Sequence, residues 1–121
     1  MKTYVKTAAA VFLWATSSTL SPVIAADCGE QPLDMPKIPT GEALTAATIR
    51  TARDEVLAYS DKVDAYIACM DQNGLKVAAF MTKEQKARRQ DDLSDLHNER
   101  RDLQLALNEA IREFRRSRQS R

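Results

Sequence analysis

Histidine is nearly missing from this sequence, and so are the residues that punctuate loops: one His, two Cys, three Gly and four Pro stand among 121 residues. One His and two Cys cannot furnish a zinc finger or a His-rich metal cage. No charge of either sign dominates, with 18 Lys and Arg against 17 Asp and Glu. A dedicated nucleic-acid binder would be strongly basic, so no nucleic-acid partner is expected. The length sets a ceiling of one small domain, since a domain takes roughly 100–200 residues. A Gly-rich phosphate loop, a nucleophile elbow and a metalloprotease helix motif are all absent, and the chain reads as a non-enzyme.

What is present begins with an address. Lys2 and Lys6 make a positive start, and an apolar run follows from Thr7 to Leu20. Ser21-Pro22-Val23-Ile24-Ala25-Ala26 then supplies a break and small residues. This is the pattern of a secretory signal peptide over residues 1–26, and cleavage after Ala25 or after Ala26 fits it equally well. A membrane anchor fits less well, because the run falls short of the ~20 residues of a spanning helix and is interrupted at Ser17-Ser18-Thr19. Asp27 precedes Cys28, where a lipoprotein would carry a small residue. The signal is bacterial in character, so the expected location is the periplasm. Export removes two Lys and no acid, leaving 16 basic and 17 acidic groups. It also carries Cys28 and Cys69 into an oxidising compartment, where an even pair in a small domain is expected to form a disulfide.

Three zones follow. Residues 27–40 contain Pro32, Pro36 and Pro39, too many for a helix, and predict an extended arm. From about Gly41 to Gln72 the composition is Ala-rich, and Ile49, Ala52, Val56, Tyr59, Val63, Tyr66 and Met70 recur in alternating steps of 3 and 4. That heptad seam predicts a helix with a helical partner, ended by Asn73-Gly74. A second helix is predicted over about 83–118, entered through a capping box of Thr82 and Gln85. Its seam is Leu93, Leu96, Arg100, Leu103, Leu107, Ala110 and Phe114, with Arg100 as the one breach. Leu75, Val77, Ala79, Phe80 and Met81 lie between the helices as an apolar plug for the hairpin end. Two long helices with a short connection should lie antiparallel. The seam can be satisfied within one chain or between two, so a homodimer is open.

The arm suggests how so small a core is stapled. A helix from Gly41 to Cys69 climbs about 42 Å, and extended chain from Cys28 to Thr40 covers roughly 37–40 Å. The lengths match, so the arm can run back along the first helix and Cys28 can reach Cys69, with Leu33, Met35 and Ile38 covering the groove. The expected fold is therefore all-α: an antiparallel two-helix hairpin with an extended Pro-rich N-terminal arm stapled by a disulfide. No C-x-x-C motif favours a redox role for the pair.

Among the polar residues, His97 sits beside the seam, near Ser60 in the expected register, where a hydrogen bond across the hairpin suits it better than catalysis. Tyr59 and Tyr66 lie on the seam as core rather than ligands. Asp92, Asp95, Glu99 and Asp102 are spaced 3, 4 and 3 and emerge from one helix face, with Glu109 continuing the line. Carboxylates at i and i+4 repel, and a calcium or lanthanide ion would turn that repulsion into ligation through oxygen. Such a site would be shallow, needing water or a second copy to complete it. The alternative is a solvated face neutralised by Lys62 across the hairpin and by Arg88. Asp61 and Asp64 form a smaller acidic group. Arg112, Arg115, Arg116, Arg118 and Arg121 crowd the end of the second helix, where cations complement its dipole. That tail could at most touch an anionic membrane surface peripherally.

Cys28-Gly29, the Pro-bearing arm, Tyr59, Tyr66, Cys69 and His97-Asn98 together resemble a group of small periplasmic proteins of alphaproteobacteria. The resemblance implies a disulfide-containing helical hairpin rather than an activity. Mature size, export and a surface carboxylate cluster are also similar to the periplasmic lanthanide-binding chaperones, which implies an exposed, under-coordinated ion and dimerisation around it. The expectation is a binding protein for a hard cation, with Asp92, Asp95, Glu99 and Asp102 as ligands; the alternative is a metal-free structural or interaction module of the cell envelope.

Overall fold

The computed structural model describes residues 28–121; the expected signal segment and its cleavage site lie outside the described residues. Two helices account for most of the described chain, α1 over Ala46–Val77 and α2 over Lys83–Gln119, and no strand occurs among the described residues. At 1.5 Å per residue the helices run about 48 and 55 Å. Arg89 meets Met70 and Asn73 near the turn, whereas Arg100 meets Asp64 farther along. Partners advance on one helix as they retreat on the other, so the hairpin is antiparallel. Among the described residues, no helix is long and apolar enough to cross a membrane.

Both helices begin on a threonine. The Thr82 hydroxyl accepts from the Gln85 amide at 3.2 Å, and the Gln85 side chain accepts from the Thr82 amide at 2.9 Å. Thr45 and Thr48 make the same reciprocal pair at 3.1 and 3.0 Å, satisfying amides that a helix start leaves without partners. This second box moves the start of α1 to Ala46. Gly41, taken above as the first helical residue, has φ +57°, a left-handed conformation, and opens a single 3-10 turn over Gly41–Ala43 instead.

The end of α1 differs more. Asn73-Gly74 does not stop the helix, which continues to Val77 before a 3-10 turn over Ala78–Phe80. The reason lies on α2. The Arg89 guanidinium donates to the Met70 carbonyl and, at 3.4 Å, to the Asn73 side-chain oxygen. A β-carbon on Gly74 would stand 3.3 Å from Arg89 Nε. Gly74 therefore serves close approach of a side chain, and Asn73 serves as an acceptor. Replacing Arg89 by Ala should cost about 1–2 kcal/mol, in the range of a charged hydrogen bond. Gly74→Ala should then gain up to about 1 kcal/mol in the Arg89→Ala background from helix propensity, and less in the wild type. A double-mutant cycle by urea denaturation measures the difference; equal gains in both backgrounds would remove Arg89 as the reason for the glycine.

The core is one cluster in which Val56 and Val63 of α1 and Leu96 of α2 are fully enclosed, flanked by Ala52, Tyr59, Leu93, Leu103 and Leu107. Ile67, not Tyr66, is the buried residue beyond Val63, while Tyr66 and Met70 pack only partly against the cluster. A straight helix drifts about 20° per heptad from a strict 3.5-residue repeat, so the buried stripe slides by one position along α1. Arg100, the breach in the seam, is half-buried and reaches Asp64 at 3.3 Å.

Cys28 and Cys69 are bonded, with their α-carbons 5.6 Å apart across a sequence separation of 41. Of the three apolar residues expected to cover the groove, Ile38 packs against the core, but Leu33 is 78% exposed and Met35 also faces solvent. The apolar plug fails too. Leu75 and Phe80 are 83% and 86% exposed, and Ala79 is exposed, leaving only Val77 and Met81 part-covered. Leu75 borders an open depression with Gly74, Met81, Lys86 and Arg89, and most of its surface stays in solvent.

Candidate functional site

The extension of α1 resets the register. Ending the helix at Gln72 would centre the hairpin between residues 77 and 78; ending it at Val77 centres it near residue 80. Residue pairs facing one another across the hairpin are therefore displaced by about five residues in sum. Asp92 does not face Lys62. It lines a cavity of about 270 Å³ with Tyr66, Met70, Arg88, Arg89 and Gln31. Neither Lys62 nor Arg88 pairs with it, and the ion pairs among the described residues lie elsewhere. Likewise, His97 is exposed without a hydrogen bond to Ser60, whose buried hydroxyl has no partner.

Asp92, Asp95, Glu99 and Asp102 all lie on α2 and all face solvent. Asp102 has Arg101 at 3.5 Å. Glu99 acts on Tyr59: burial, and then the Glu99 carboxylate, push the Tyr59 phenol above its ordinary value. Among the described residues no three His, Cys, Asp or Glu side chains are grouped to hold a metal ion. A single helix face spreads its carboxylates along the axis, and the cavity beside Asp92 supplies Arg88 and Arg89 rather than further carboxylates. Of the second acidic group, Asp64 is taken up by Arg100.

Glu109 departs from the stripe. Its carboxylate accepts from Arg112 at 2.7 and 3.0 Å and from Arg116 at 3.0 Å. The hydrogen bonds of Arg116 and Arg112 hold it below the ordinary carboxylate value. A lowered pKa means that the contribution is present above the ordinary value and is lost as pH falls through the lowered one. Helicity near the end of α2 should therefore fall slightly as pH drops below the ordinary carboxylate range, and Glu109→Gln should show the lower helicity already at neutral pH. Residue-resolved helicity by NMR against pH checks this; identical profiles in both proteins would exclude Glu109 as the cause. Farther along, the Arg118 guanidinium lies 5.8 Å from the Phe114 ring centre, within cation–π range.

Two residues expected above to plug the hairpin stand exposed at its closed end. Leu75 and Phe80 are the two most exposed large apolar side chains described, and the sequence around them is cationic. Between residues 75 and 89 lie Lys76, Lys83, Lys86, Arg88 and Arg89 against Glu84 alone. Between 91 and 102, five carboxylates stand against Arg100 and Arg101. The hairpin thus has a basic tip, an acidic waist on α2 and a basic tail. The signal available in sequence was an apolar pair bracketed by lysines at a turn, which reads equally as a buried plug until the turn is placed.

The chain accordingly offers surfaces for contact: a basic, apolar tip, a solvated acidic face and the shallow groove beside Tyr66. No family model, curated protein or solved structure matches the chain, so its function is argued from these surfaces.

Proposed function

We propose that this chain is a non-enzymatic module of the bacterial cell envelope, exported to the periplasm, which docks through the closed end of its hairpin. The exposure of Leu75 and Phe80 carries this reading. Burial of a Leu or Phe side chain is worth about 1.5–3 kcal/mol, and a monomer that leaves two at one end forgoes that gain unless something else covers them. The Cys28–Cys69 bond suits an oxidising compartment. Residues 31–40, which carry neither helix nor strand, serve here as an extended strap tied to α1 by that bond and by Ile38.

The test is envelope association. Leu75→Ser/Phe80→Ser should keep the helical content and melting temperature of the wild type while losing retention in the envelope fraction; unchanged retention would refute docking by the tip. The cation-carrier reading, with calcium or a lanthanide on the stripe and metal-linked dimerisation, makes a different prediction. On the docking reading, calorimetric titration with calcium and lanthanum gives no saturable heat, and Asp95→Asn/Glu99→Gln raises stability by a few tenths of a kcal/mol through lost repulsion. Saturable lanthanum binding that disappears in that variant would replace the docking module with a metal carrier.

A further inference from the structure

We infer that the surface received by the tip is an anionic lipid bilayer, with Phe80 and Leu75 entering the interface and Lys76, Lys83 and Lys86 against the headgroups. This rests on the docking reading above and names the partner of that same end. Two local costs coincide there. Phe80 and Leu75 are held in water. Lys83 and Lys86 occupy the first turn of α2, the positive end of the helix dipole, where a carboxylate would be favoured. Lys76, Lys83 and Lys86 are exposed and in no ion pair among the described residues. An anionic interface relieves both costs at once, because it covers apolar side chains and neutralises the cations beside them.

The charge pattern favours this occupant over others. A second copy docked tip to tip would set lysines against lysines. The acidic stretch of α2, starting at Asp91, is repelled by the same surface, which orients the hairpin end-on. The basic tail begins some 40 Å from the tip along α2, several Debye lengths away at physiological salt, so the two ends act independently. The apolar groups of the tip are also exposed over more than four-fifths of their surface. A fluid interface accepts such groups without a matching pocket. With no helix among the described residues able to span a bilayer, the contact is peripheral.

The experiment is co-sedimentation of the oxidised protein, recovered after export, with vesicles of phosphatidylcholine alone or with about a third phosphatidylglycerol. Binding is expected only to the anionic vesicles and should weaken with salt. Phe80→Ser and Leu75→Ser should each lower partitioning about tenfold, and Lys76→Gln/Lys83→Gln/Lys86→Gln about a hundredfold. All these positions are exposed, and circular dichroism and melting verify that the variants fold. Arg115→Gln/Arg118→Gln/Arg121→Gln should change partitioning much less. If that tail variant abolishes binding instead, or if phosphatidylcholine binds equally, the proposal is overturned. Absence of vesicle binding while envelope retention still depends on Phe80 overturns the lipid inference and leaves the docking reading with a protein receptor. Association in solution that depends on Phe80 and on concentration would assign the tip to a second copy, again against the lipid inference.

Discussion

Reduction of the Cys28–Cys69 bond should lower the stability of the fold by about 4 kcal/mol, by the chain-entropy estimate for a loop of this length. The bond spans 41 positions of sequence, and cutting it frees the denatured chain to explore conformations the loop forbids. The native side has little with which to compensate: the enclosed part of the core is one layer between two helices, and a domain of this size has only about 5–10 kcal/mol in total. At roughly 4–8 °C per kcal/mol for a chain of this length, the melting temperature should fall by about 15–30 °C. Cys28→Ser/Cys69→Ser should reproduce the effect of reductant. Melts followed by circular dichroism check this, and a shift below about 5 °C would mean that residues 28–40 contribute little beyond a tether. Residues on α1 beside Ile38, such as Ala52, should lose amide protection first on reduction.

Truncating Leu96 to Ala should cost about 3 kcal/mol, within the 2–5 kcal/mol of buried Leu→Ala changes. Leu96 is 1% exposed in the mid-hairpin core that includes Val56 and Val63, which are enclosed to the same degree. The enclosed layer is only two helices thick, so relaxation recovers little of the loss. Leu105→Ala, at a Leu of α2 that is 56% exposed, provides the contrast and should cost under about 0.5 kcal/mol. Urea denaturation with a common slope measures both. Equal costs at the two positions would mean that α2 is rotated about its axis from the orientation described.

The alternation of apolar residues along two Ala- and charge-rich segments was enough to name a helical hairpin, because a period near 3.5 admits few other arrangements. Most of the buried set, from Ala52 to Val63 and from Leu93 to Ala110, follows from that period alone. The pairing of Cys28 with Cys69 followed from composition, since two cysteines in an oxidising setting permit one bond. Thr82 with Gln85 marked the start of α2 because a capping box is wholly local. What could not be read locally is what another helix does to a segment. Asn73-Gly74 has the chemistry of a helix end, yet Arg89, sixteen and fifteen positions away, occupies the space that the glycine leaves open and donates to the Asn73 side-chain oxygen. That one tertiary interaction lengthens α1, moves the centre of the hairpin and so changes which residues face one another. Asp92 is carried from Lys62 to a groove with Arg88 and Arg89, and Ser60 is left without His97. The same displacement turns Leu75 and Phe80 from a plug into an exposed tip. Period and capping are properties of neighbours in sequence and were therefore legible; register depends on where the turn falls, and only packing of α2 against α1 decided that.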